Sequence, residues 1–175
     1  MKADRREFLF SLAAMATAPP RFLLAGGVPP VQQDGRGLSA DQLVLLGAIC
    51  EQVVPADDFP GARELGVATF IERVLREAHP EWTAVYQAGL NSTNASSNQL
   101  FQESFVKLTA DRQFQLLQRM ERGDLPPDLW SAPLSGDFFS MVRSHTMHGF
   151  YSNPRWGGNR DKLAWKMIGF DDWWV

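Results

Sequence analysis

Apolar residues in this chain recur three and four positions apart in one segment after another, and nowhere do they alternate over a strand-length run. Such spacing stacks side chains along one face of an α-helix, whereas a half-buried strand needs a period of two. The expected fold is therefore all-α, a small bundle of about six helices. With 175 residues, 45% of them apolar, one core is within reach and a second independent domain is not expected.

Proline, glycine and polar clusters divide the chain. Residues 26–37 are rich in Gly, Pro and Gln without periodicity and read as a flexible linker, so the domain is expected over 38–175. Ser39 and Gln42 have the spacing of a capping box, and Leu43, Leu46, Cys50 and Val53 form the stripe of a first helix that stops near Pro55. A second helix is predicted over 62–78, with a charged, solvated side that includes Arg73, and Pro80 opens a third through Trp82, Val85 and Leu90. The polar run 91–98 then reads as a loop. Leu100, Phe101, Phe105 and Leu108 suggest a fourth helix, Thr109 caps a fifth, and 135–151 is the sixth.

Composition sets several functions aside. The net charge is −3 without long runs of one sign, so there is no phosphate-tracking face and nucleic acid is not an expected partner. The single cysteine, Cys50, cannot supply an iron–sulfur cluster or a cysteine zinc site, and on its apolar stripe it reads as a core residue. There is no C-x-x-C-H, no G-x-G-x-x-G after a strand and no P-loop, so no cofactor is expected in this chain. Asp57 and Asp58 read as solvated or capping acids of a turn, with a hard cation as the alternative. His145 and His148 share a face of the predicted sixth helix, with His79 far away in sequence. A structural or interface role is the main reading. The alternative is an electron-transfer subunit that ligates a non-covalent haem or a metal through His145 and His148.

The N-terminus reads as an address. Asp4-Arg5-Arg6-Glu7-Phe8-Leu9-Phe10 leads into an apolar, alanine-rich run over 9–18, the layout of a twin-arginine export signal occupying 1–25, with Arg5, Arg6, Phe8 and Leu9 at the positions a receptor reads. Cleavage has two candidate places, Ala16-Thr17-Ala18, which Pro19 follows at once, and Leu23-Leu24-Ala25. This export route carries folded proteins that have taken up a cofactor, yet the chain shows no cofactor motif. The mismatch suggests that the signal serves a partner.

The C-terminal stretch from His148 reads Gly149-Phe150-Tyr151-Ser152-Asn153-Pro154-Arg155-Trp156-Gly157-Gly158-Asn159, followed by Ala164-Trp165-Lys166-Met167-Ile168-Gly169-Phe170. It resembles the G-F-Y-x-x-P-x-[YW]-G-G-N signature, then W-x-x-I-G-[FY], of the gluconate 2-dehydrogenase subunit 3 family. Val54-Pro55-Ala56-Asp57, Pro60-Gly61-Ala62 and Val67-Ala68-Thr69-Phe70-Ile71 resemble that family's first two helices and their junction, so the resemblance spans about 38–170. Physically, Pro154 fixes a torsion, Gly157 and Gly158 permit conformations and close approaches that a Cβ forbids, and Trp156 and Trp165 offer stiff contact area. Two readings stay open. The segment is a docking loop through Phe150, Tyr151, Pro154, Trp156, Gly157, Gly158, Asn159 and Trp165, or it closes its own bundle.

The resemblance implies a small gamma-type subunit paired with a large FAD-binding oxidoreductase of the glucose–methanol–choline class, often with a c-type cytochrome as third partner. In such complexes the small subunit is thought to assist maturation and to export the large one, and the complex is periplasmic and peripheral to the inner membrane. The flavin would oxidise an alcohol group of a sugar, sugar acid or glycoside, and no catalytic site is expected in this chain. The terminal Trp173 and Trp174, costly to leave in water on a small domain, are expected against the large subunit.

Overall fold

A computed structural model describes residues 37–131 and 133–170. The predicted export signal with Arg5, Arg6, Phe8 and Leu9, the linker up to residue 36, and the terminal Trp173 and Trp174 lie outside the described residues.

Helix α1 (Ala40–Val53) begins at the expected capping box: Gln42 N donates to Ser39 Oγ at 3.2 Å, and Ser39 N donates to Gln42 Oε1 at 3.0 Å. Its stripe of Leu46, Ile49 and Cys50 is fully buried. Around it lie α2 (Val67–Arg73), α3 (Thr83–Phe101), α4 (Ala110–Glu121) and α5 (Ser135–Tyr151), each in contact with α1, and α6 (Leu163–Ile168) packs on α5. The described residues are thus all-helical, with six α-helices joined by short 3₁₀ and π turns. The core is one cluster that runs from Leu45 to Ala164 and includes Tyr86, Phe105, Phe138 and Phe150.

The helix count agrees with expectation, but the membership differs. No loop occupies 91–98, because α3 runs straight through it to Phe101. The polar side chains there are largely engaged. Ser96 Oγ accepts from the buried Trp130 Nε1 at 2.8 Å, Asn94 Oδ1 accepts from Phe105 N at 3.1 Å, and Thr93 Oγ1 donates to Gly89 O at 2.8 Å. Buried groups with such partners cost little, so small polar residues serve here as packing surface.

The predicted fourth helix is absent. Gln102, left-handed at φ 58°, ends α3, and beyond it a single 3₁₀ turn, Phe105–Lys107, plugs Phe105 into the core. The second helix starts at Val67 instead of residue 62, because Gly66 at φ 75° breaks the chain direction, and it passes into a π turn over Val74–Ala78. Helix α6 has no counterpart among the predicted helices, since its short apolar stretch lies within the presumed loop.

Candidate partner-docking site

The C-terminal signature leaves α5 at Tyr151 and turns back over α2. Asn153 Oδ1 accepts from Arg155 N at 3.1 Å, and Pro154 opens a 3₁₀ turn, Pro154–Trp156, that Gly157 closes at φ 100°, a conformation that strongly favours glycine. Gly158 lies so near α5 that a Cβ would run into the Gly149 carbonyl and the Ser152 hydroxyl. Asn159 is fully buried at φ 45°, where asparagine is among the few side chains that settle readily. Its Nδ2 donates to Ser152 O and its Oδ1 accepts from Ala164 N, both at 2.9 Å. Trp165 Nε1 donates to Tyr151 O at 2.9 Å, and Arg160 N donates to Leu65 O at 3.2 Å. The segment is therefore fastened to both α5 and the entry of α2.

This bracing divides the sequence-predicted contact residues. Phe150, Gly158, Asn159 and Trp165 are buried and close the chain's own fold, while Pro154 and Gly157 shape the turn. Tyr151 and Trp156 remain outward, at 37% and 46% exposure. Both the Arg73 and the Arg155 guanidinium lie over the Trp156 ring, 5.4 and 4.9 Å from its centroid. Arg73 is itself held, donating through Nη1 to Arg155 O and through Nε to Glu77 Oε2, each at 2.8 Å. Sequence reasoning misses Arg73 and Arg155 here. The charged face of the second helix reads as solvated, and only the folding back of the loop 82 residues later gives Arg73 its ring. Ile168 and Phe170 are also outward, and Phe170 lies 5.0 Å from the Trp165 ring.

The three histidines come closer than their sequence separation suggests. The Pro80–Trp82 turn stacks His79 on Trp82 at 3.9 Å, Trp82 stacks on His145 at 5.1 Å, and His148 follows at 6.3 Å. The Tyr86 hydroxyl and His145 Nδ1 are 2.7 Å apart. Burial first, then the charges of His148 and His79, push the His145 imidazole down to about 4, so it is neutral at neutral pH. Among the described residues no three His, Cys, Asp or Glu side chains are grouped to hold a metal ion. Burial pushes the Cys50 thiol up to about 12, which leaves no reactive thiolate, and Asp57 Oδ1 accepts from Phe59 N at 2.9 Å as the cap of its own turn.

Helices, bracing and exposed indole define a small all-helical domain in which most of the signature serves to hold a surface loop rigid. The chain belongs to the gluconate 2-dehydrogenase subunit 3 family, whose model matches residues 40–172. Members of that family are subunits of a multi-subunit, membrane-associated gluconate dehydrogenase complex, which implies partner chains. Among the described residues no helix is long and apolar enough to cross a membrane. No curated protein and no solved structure gives a match.

Proposed function

We propose that this chain is the non-catalytic small subunit of an FAD-dependent dehydrogenase that acts on sugars, sugar acids or glycosides, and that it docks on the large flavin subunit, assists its maturation and takes it out of the cytoplasm. The observation that carries the reading is Trp156: a family-signature indole left half in water on a loop fastened at both ends. Stiff aromatic side chains on pre-organised backbone lose little entropy on binding, and they are common anchors of interfaces. Tyr151, also outward, would extend the same contact, and the terminal Trp173 and Trp174 are proposed to rest on the same partner.

Twin-arginine export to the periplasm rests on Arg5, Arg6, Phe8 and Leu9 and on the absence of a cofactor motif in a chain with such a signal. The flavin belongs to a large glucose–methanol–choline-type partner, joined in many such complexes by a c-type cytochrome. The alternative, electron transfer through a non-covalent haem or a metal held by His145 and His148, is separated from this reading by the visible spectrum of the purified chain.

The test is to purify the tagged full chain from its native membrane fraction, identify what accompanies it by mass and record the visible spectrum. A stoichiometric, flavin-containing large chain is the expected result. A chain that comes alone with its own chromophore or activity would overturn the reading.

A further inference from the structure

The surroundings of Trp156 say what kind of surface it meets. Arg73 over the ring is already neutralised by Glu77, which also takes Arg76. Arg155 is different: it is exposed, it lies over the same ring, and among the described residues no carboxylate pairs with it. Arg160 is likewise exposed and unpaired there, its guanidinium lying against Gly66 beside the Gly157 carbonyl. The loop 154–160 thus carries two positive charges, one of them over the indole, and no acid, on a chain with a net charge of −3.

We infer that the loop 154–160 docks on an acidic protein surface of the partner, in which a slot takes the Trp156 ring and a carboxylate beside it accepts from Arg155. The pairing is matched in geometry as well as charge. The Arg155 guanidinium lies 4.9 Å from the ring centroid, and its planar fork can give a carboxylate beside the seated ring two hydrogen bonds. Desolvation by the buried ring strengthens that pair relative to one in open water, and a charge of the wrong sign in the same place repels.

The inference rests on the docking reading, and the experiment separates the two. The full chain and its flavin-containing partner are isolated together, and the dissociation constant is measured over a sodium chloride series for the wild type and for Trp156→Ala, Arg155→Lys and Arg155→Glu. A wild-type chain that retains no flavin partner at low salt sinks both. Given a wild-type complex, Trp156→Ala and Arg155→Glu are each expected to raise Kd by about tenfold or more, Arg155→Lys by a few-fold, and Arg155→Glu to flatten the salt dependence. If Arg155→Glu lowers the thermal midpoint of the chain, Arg155→Gln is the variant read, with a smaller rise in Kd expected.

A photo-crosslinker on Arg155→Cys, with Cys50 buried and out of reach, then maps the contact. The expected product is a partner peptide that contains Asp or Glu. An Arg155→Glu complex as tight as wild type, or a crosslink to an acid-free peptide or to lipid, overturns the acidic surface; docking itself stands in that case if Trp156→Ala still weakens the complex.

Discussion

Asn159 occupies a position that few residues could fill, with a left-handed backbone, no solvent and two partners that both need its amide. Asn159→Ala leaves the Ser152 carbonyl and the Ala164 N–H without their bonds and keeps the positive φ. An unsatisfied buried group costs about 1–3 kcal/mol, and the Ser152 carbonyl is only part-buried and adds less, so a loss of roughly 2–4 kcal/mol in unfolding free energy is expected by urea titration. A loss under about 0.5 kcal/mol would mean that Asn159 does not fasten the loop.

His145 makes a prediction about pH. Its folded value, near 4, lies below the ordinary 6.5, so between these limits the unfolded chain binds more protons. The contribution to stability is complete above about 6.5 and is lost as pH falls through the folded value. After discount for partial exposure, the wild type should lose on the order of 2 kcal/mol more than His145→Gln between pH 7 and pH 4. Equal losses would place the acid sensitivity elsewhere. The two residues differ in how far the sequence exposes them: Asn159 stands in a recognisable signature, whereas the depressed imidazole depends first on burial, to which the distant Trp82 ring stacked on it belongs, and only His148 beside it is a local cause.

At the level of elements, α3 is the least legible in the sequence and α5 the most. The sixth predicted helix, 135–151, matches α5 (Ser135–Tyr151), because its apolar positions recur at helical spacing. Helix α3 fails that criterion. Its buried side includes Gly89, Thr93, Ser96 and Ser97, whose apolar content is low and whose polar atoms are met within the helix or by later segments. A run of Asn and Ser obeys local turn rules until such partners arrive, and the distant ones lie in the chain after it.

Gly89 tests this interlocking of α3 with α5. Alanine there gains about 1 kcal/mol of helix propensity, but its Cβ would enter the Phe138 ring. Overpacking costs roughly 1–3 kcal/mol, and Phe138 is fully buried with the Tyr86 ring edge-on 5.7 Å away, so packing should outweigh propensity. Gly89→Ala is expected to lower the thermal midpoint. A rise would show that Phe138 repacks freely and that the two helices are less tightly matched than their contact implies.

For the whole molecule, the signature that marks the family holds its two tryptophans in different surroundings. Trp165 is mostly buried, bonded through Nε1 to Tyr151 O, and part of the closure of α6 on α5. Trp156 lies outside that closure, with nearly half its surface in water. A sequence pattern cannot tell these apart, because a buried indole and an exposed one are the same letter in the same motif, and only the folding of the segment onto α5 and α2 decides which one is covered. The two substitutions should therefore dissociate stability from assembly. Trp165→Ala removes a buried ring and leaves the Tyr151 carbonyl unpaired, so a loss of about 3–5 kcal/mol is expected, with the complex lost because the chain unfolds. Trp156→Ala should cost the isolated chain less, on the order of 1–2 kcal/mol, since about half of the ring is already in water and its cation–π partners are exposed, while it abolishes or strongly weakens retention of the proposed large subunit. Thermal unfolding of each variant chain and co-purification of each with the native membrane fraction, run in parallel, give the two readouts. If Trp156→Ala destabilises the chain as much as Trp165→Ala does, the loop belongs to the fold throughout, and the proposed contact with a flavin subunit has to be sought at another face.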